Sequence, residues 1–277
     1  MKKTNYSEKL FSVKNKTVVI TGGSGIIGSE LTKGYLVAGA NVIILDKNEE
    51  RLSQSVKTFK KISNTIFGYP CNVLDENVLN SVNEQIKKKF KKIDVLVNAA
   101  GGQIPGTTLE INQTVFDLGI DNFNKVTELN LNGTVLPTFV LGKTIADQGS
   151  GSIINISSMS AFRAITRVVG YSVAKAGIDN FTKWMAMEMA LKFGDGIRVN
   201  AIAPGFFITD QNRNILVNKK GKLTPRSKAI ISMTPFKRFG EPSELVGTVL
   251  FLSNSASKFI TGVVIPIDGG FNIFSGV

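Results

Sequence analysis

Residues 170–177 read GYSVAKAG, a phenol and an ammonium four positions apart among small side chains. On a helix this spacing puts Tyr171 and Lys175 on one face, one turn apart. The pair matters because the chain has no histidine and a single cysteine, Cys71. Ser-His-Asp and Cys-His catalysis are thereby excluded. Cysteine-rich and most transition-metal sites go with them, so no metal site is expected. Any acid–base chemistry falls to Tyr, Lys, Asp or Glu. An ordinary amphipathic helix would show the same Tyr and Lys, so the other candidates must decide. One is TGGSGIIG at 21–28, whose Gly22, Gly25 and Gly28 carry no Cβ. Such a loop lets backbone N–H groups and a helix N-terminus approach a pyrophosphate. Another is Asp46, which closes the next apolar run. An acid there binds ribose hydroxyls and repels a 2′-phosphate, which favours NAD over NADP. Lys47 beside it softens that preference. The structural alternative for Asp46 is the N-cap of a helix beginning near Asn48.

These groups need a scaffold. TVVIT (17–21), NVIILD (41–46), TIFGYP (65–70), IDVLVNAAG (93–101), SIINISS (152–158), IRVNAIAPG (197–205) and VVIPIDGG (263–270) read as strands. Helical apolar spacing predicts helices at 25–39, 75–91, 122–147, 170–193 and 241–253. Alternating strands and helices, with strands apolar along their whole length, predict an α/β fold: one Rossmann-like, doubly wound parallel sheet of about seven strands with helices on both faces. No linker, repeat or low-complexity stretch divides the 277 residues, so a single domain, 1–277, is expected. Two long connections, 102–121 and 206–235, leave strand carboxyl ends, where open α/β sheets bind ligands. The second is expected to act as a lid-like substrate segment. No apolar run has the length of a membrane span, and the N-terminus lacks the apolar core of a secretory leader, so a cytoplasmic protein is expected. The net charge of +12 is spread along the chain. Without an aromatic-interleaved basic stripe it favours anionic small molecules over nucleic acid as partners.

TGGSGIIG, NAAG (98–101), ELNLNG (128–133), NISS (155–158), YSVAK (171–175) and PGFFIT (204–209) stand in the order and approximate spacing of the short-chain dehydrogenase/reductase family, which the chain resembles from about residue 12 to the DGG at 268–270. The resemblance implies hydride transfer between a nicotinamide cofactor and a keto group or secondary alcohol. Tyr171 would be the general acid/base, and Lys175 would lower its pKa by proximity and hold the nicotinamide ribose. Ser158 would hydrogen-bond the reacting oxygen, with Ser157 as the weaker choice. Asn130 would position a water linking Lys175 to solvent, with Asn132 as runner-up. The cofactor would lie against Gly22, Ser24, Gly25, Ile27 and Gly28, then Asp46, Asn72 and Val73. Asn98, Ala100 and Gly101 would follow, with Pro204, Gly205, Ile208 and Thr209 at the nicotinamide.

Two departures stand out. Ile26 occupies the place of the family's middle glycine, so Gly25 would shift the tight turn by one residue. CNV at 71–73 replaces the Asp-Val that contacts adenine, leaving the task to Asn72. The stretches SSMSAFRAITRVVGYSVAK, NAIAPGFFITDQNR and DGGFNIFSGV resemble the D-mannonate oxidoreductase, or fructuronate reductase, branch. A sugar acid needs a cation for its carboxylate. Arg163 is the preferred ligand, with Arg167 and Arg213 as further candidates and Gln211 and Asn212 for hydroxyls. The rivals are reduction of a 3-oxoacyl thioester or another ketone or polyol, and a dinucleotide-sensing scaffold. By family habit the chain would form a homotetramer through helix 170–193 and the helix before it.

Overall fold

In the computed structural model, which describes residues 6–208, 216–217 and 221–277, seven strands form one sheet in the order β3-β2-β1-β4-β5-β6-β7. They are β1 (Thr17–Thr21), β2 (Asn41–Asp46), β3 (Ile66–Pro70), β4 (Val95–Asn98), β5 (Gly151–Ile156), β6 (Ile197–Pro204) and β7 (Val264–Ile267). Every neighbouring pair is parallel.

Successive side chains of a strand point to opposite faces. Val18, Ile20, Val42 and Ile44 therefore bury on one side, with Leu31, Tyr35, Leu245 and Val249. Val19, Ile43 and Leu45 bury on the other, with Leu79, Ile86, Leu141, Met185 and Met189. This two-sided burial is why the strands lack polar alternation. Removing one such side chain, as in Ile43→Ala, costs about 2–5 kcal/mol.

The first face carries α2 (Ile26–Val37), α3 (Glu49–Phe59) and α9 (Val246–Leu252); the second carries α4 (Glu76–Phe90), α6 (Gly133–Asp147) and α7 (Val169–Phe193). A short α1 (Tyr6–Phe11) precedes β1, α5 (Ile120–Thr127) precedes α6, and α8 (Pro225–Ser232) follows β6.

Three expectations change in detail. The helix expected at 122–147 is α5 and α6 joined by a π-helical turn, Glu128–Asn132, with Pro137 inside α6. That proline cannot donate back to Gly133, and wide turns of this kind gather at functional sites. The segment expected at 241–253 begins as a 3-10 turn, Pro242–Leu245, before α9. Within 206–235 lies α8, announced by Thr224, whose side chain caps Ser227 N–H, and by Pro225 at the first helical position. That Thr-Pro start was readable in the sequence.

The chain leaves β1 toward β2 and β3, then crosses back to β4 on β1's other side. The strand order reverses there, and the crevice beyond the carboxyl ends of β1 and β4 is where such sheets bind ligands.

Candidate active site

The loops after β1 and β4 meet at that crevice. Gly22 has φ 63°, and a Cβ on it would stand 2.8 Å from the Ala100 Cα. A Cβ on Gly28 would stand 2.1 Å from the Gly22 carbonyl oxygen. Gly22 and Gly28 are therefore required by close approach. Gly25 has an ordinary φ of −73° and caps α2, and its N–H closes the turn onto the Gly22 carbonyl at 2.9 Å. Ile26 is simply the first residue of α2, so the missing middle glycine costs the turn nothing. Across the crevice, the Ala99 and Ala100 N–H groups donate to Thr21 Oγ1, both at 3.1 Å.

A groove of about 340 Å³ runs along these loops, lined by Gly22, Gly25, Ile27, Gly28, Asp46, Asn72, Val73, Ala100 and Gly101, with Ile26, Lys47 and Arg51. The expected cofactor residues in the first three strand-end loops are thus brought together, apart from Ser24. The Ser24 hydroxyl is buried in the same loop with no hydrogen-bond partner among the described residues. Among the described residues, no side chain caps the N-terminus of α2. Free N–H groups on a helix start, a glycine cradle and an orphan hydroxyl suit a pyrophosphate, so the residues present fit a dinucleotide.

Asp46 is 3% exposed and is not an N-cap; Asn48 caps α3 by accepting from Arg51 N–H at 2.8 Å. Both Asp46 carboxylate oxygens instead accept from Arg51 Nη2, at 2.8 and 3.0 Å, and Oδ1 also accepts from Asn48 N–H. Arg51 was missed in the sequence because it lies on the following helix. Asn72 caps its own turn, with Oδ1 accepting from Leu74 N–H at 3.2 Å. Asn98 donates to Thr138 Oγ1 and to Asn155 Oδ1, both at 2.9 Å, tying β4 to β5 and α6.

Lys175 lies one turn beyond Tyr171 on α7. The small residues around them have a packing reason. A Cβ on Gly170 would stand 2.7 Å from Val126 of α5, and one on Gly177 would stand 3.2 Å from Leu131 of the π-helical turn. Tyr171 and Ser158 stand together in one cleft; burial pushes the phenol's pKa up and Ser158 pulls it down. The phenol is raised on balance, so the lowering expected from Lys175 is not seen. The Lys175 ammonium, 5.5 Å from the Tyr171 ring centre, donates to the Ile156 carbonyl at 2.7 Å. Burial holds it down to about 8, with Asp179 opposing. Ser157 is committed elsewhere, to the Asp179 carboxylate.

Asn130 is fully buried in the π-helical turn, and its amide grips Gly102 from both sides. Oδ1 accepts from Gly102 N–H at 2.9 Å, and Nδ2 donates to the Gly102 and Val126 carbonyls at 2.9 and 2.8 Å. Asn130 is thus a clamp between the loop after β4 and the turn beneath it. A Cβ on Gly101 would stand 2.7 Å from Asn130 Oδ1 and 3.8 Å from Lys175 Nζ.

A second cleft, of about 330 Å³, is lined by Ile27, Ser158, Tyr171, Pro204, Gly205, Phe206, Phe207, Leu216, Arg226 and Ile230. Gly205 is pressed against Asp268, where a Cβ would meet the Asp268 Cα at 2.7 Å. Ile208 N–H donates to the Gly240 carbonyl at 3.1 Å. Thr209, Gln211, Asn212 and Arg213 lie outside the described residues.

Arg163 is corrected: its Nη1 donates to the carbonyls of Phe271 and Phe274, both at 2.9 Å, and its guanidinium lies 5.8 Å from the Phe271 ring centre. It fastens the C-terminal segment and does not line the cleft. Arg167 bonds the Leu109 carbonyl and pairs with Glu110 at 3.2 Å. Arg226, from α8, is the arginine in the wall.

A glycine-cradled groove opening beside Tyr171, Ser158 and the buried Lys175 defines a dinucleotide-dependent oxidoreductase of Rossmann type. Residues 23–272 match the family described as enoyl-(acyl carrier protein) reductase. The uncharacterized oxidoreductase UxuB of Bacillus subtilis is 42% identical, over 96% of this chain and 98% of that one. A crystal structure of a proposed D-mannonate oxidoreductase from Haemophilus influenzae, with bound NAD, superposes with a TM-score of 0.89 at 40% identity, covering 96% of this chain and 98% of that one. The 3-oxoacyl-[acyl-carrier-protein] reductase FabG of Thermotoga maritima is 33% identical over 94% of this chain and 99% of its own. The chain belongs to the short-chain dehydrogenase/reductase family.

Proposed function

We propose that this protein uses NAD to interconvert the keto group and a secondary alcohol of a sugar acid, of the D-fructuronate and D-mannonate type. The observation that carries the reaction is that the dinucleotide groove and the Tyr171 cleft meet, sharing Ile27 in their walls. When bound, a nicotinamide dinucleotide supplies the hydride for reduction and accepts it in oxidation. The Tyr171 hydroxyl gives its proton to the carbonyl oxygen as the alcohol forms and takes it back in the reverse direction. Ser158 orients that hydroxyl, and Lys175 stabilises the phenolate that is left. Asp46 selects NAD because its carboxylate repels a 2′-phosphate; Arg51 and Lys47 offset part of that repulsion.

The Haemophilus relative supports the sugar-acid substrate, as does a cation in the cleft wall. A 3-oxoacyl thioester is the second reading, favoured by the apolar wall of Phe206, Phe207, Leu216 and Ile230 and by the Thermotoga relative. The chain assembles as a homotetramer through α6 and α7, whose Phe139, Trp184 and Leu191 are 55%, 52% and 73% exposed.

The test follows nicotinamide absorbance with NADH and NADPH against D-fructuronate and a 3-oxoacyl thioester, with Tyr171→Phe alongside. NADH-dependent reduction of fructuronate, lowered about 10³-fold or more in the variant, is expected. Turnover of the thioester alone would overturn the sugar-acid reading and keep the reaction.

A further inference from the structure

We infer that Arg226, the second residue of α8, reads the substrate's carboxylate and makes the cleft selective for keto acids over neutral ketoses. The inference rests on the sugar-acid reading above and names the group that enforces it. Among the described residues lining the cleft, Arg226 is the only charged one, and it shares that wall with Ser158 and Tyr171. The two neighbouring arginines are already engaged, Arg163 by the C-terminal carbonyls and Arg167 by Glu110. Arg226 has no carboxylate partner among the described residues. Its hydrogen bond among those residues is a long one, from Nη1 to Thr166 Oγ1 at 3.4 Å.

The backbone on either side is fixed. Thr224 N–H donates to the Leu216 carbonyl at 3.0 Å, and the fully buried Ser227 donates its hydroxyl to the same carbonyl. Arg226 is therefore held at the start of α8, between two residues tied to Leu216. Phe207, Leu216 and Ile230 line the same cleft and keep its dielectric low, which strengthens any ion pair made there.

A half-buried guanidinium with no counter-ion among the described residues adds little to the fold. Burial and the neighbouring Arg167 both push its pKa down. It remains protonated all the same, because guanidinium titrates far above neutrality. A carboxylate arriving in the cleft would relieve both penalties with a planar pair of charge-assisted hydrogen bonds. A neutral sugar would leave the cation unpaired and gain nothing from it.

The experiment compares wild type, Arg226→Gln and Arg226→Lys in NADH-dependent reduction of D-fructuronate and of the neutral ketose D-fructose. Thermal melts and NADH fluorescence titrations run in parallel. Arg226→Gln is expected to raise KM for the acid about 30-fold or more while kcat changes less than about threefold. KM for the neutral ketose, NADH affinity and melting temperature should hold or improve. Arg226→Lys should fall between, since it keeps the charge and loses the planar fork. A KM for the acid within about twofold of wild type would overturn the assignment and leave the sugar-acid reading intact. Equal losses on acid and neutral ketose would overturn it too, as the mark of a structural role. Wild type that reduces no hexuronate would overturn both together.

Discussion

Arg51, on the helix after β2, grips both carboxylate oxygens of Asp46, at 2.8 and 3.0 Å, at the edge of the dinucleotide groove. The pair joins an almost fully buried acid to a guanidinium that is 45% exposed. One partner repels a 2′-phosphate and the other attracts it, so cofactor preference hangs on their balance. Asp46→Ser removes the repulsion and frees the cation. Steady-state kinetics should show kcat/KM for NADH falling and that for NADPH rising, each by about tenfold, or about 1.4 kcal/mol. An unchanged ratio would mean that Asp46 does not face the ribose.

Lys175 imposes a stability cost that depends on pH. Burial sets its pKa at about 8 in the folded chain, against an ordinary value of 10.5. Below about pH 8 both folded and unfolded states carry the proton and the full burial cost is felt. Between those values the unfolded chain binds more proton, so stability from this group rises with pH. Lys175→Met should therefore be more stable than wild type at pH 7, by on the order of 1 kcal/mol once the lost Ile156 hydrogen bond is offset. The gain should shrink toward pH 10 in denaturant titrations, and activity should be lost throughout.

Gly28→Ala tests the cradle. The added Cβ cannot share space with the Gly22 carbonyl 2.1 Å away, so the loop or the start of α2 must move. We expect a loss of about 2–4 kcal/mol in stability together with loss of NADH binding by fluorescence titration. Gly25→Ala meets its nearest atom at 3.1 Å with a permitted φ and should cost less on both counts.

Trp184→Glu combined with Leu191→Glu places charges on the exposed face of α7 while leaving the buried Met185 and Met189 untouched. Light scattering should then report monomers or dimers in place of the proposed tetramer, with far-UV circular dichroism unchanged. A persistent tetramer would move the interface elsewhere.

The sequence alone determined the sheet and the glycine turn at its edge, because each depends on local chemistry. Strand bounds at β1 and β2 followed from runs of Val, Ile and Leu that only a sheet covered on both faces can hide. Gly22 and Gly28 were legible because a positive φ and a close approach admit no other residue, and Tyr171 and Lys175 because one helical turn fixes their spacing. What the tertiary structure decided were partnerships between groups far apart in the chain. Arg163 went to the carbonyls of Phe271 and Phe274, more than a hundred residues away. Asn130 was drawn down onto Gly102 by a π-helical turn that periodicity reads as plain helix. Burial, which sequence does not measure, raised the Tyr171 phenol against the pull of Ser158. Arg226 entered the cleft because α8 folds back over the ends of the strands, bringing residue 226 beside residues 158 and 171. A charge pattern along one dimension cannot say which cation is left without a partner; only packing in three dimensions does.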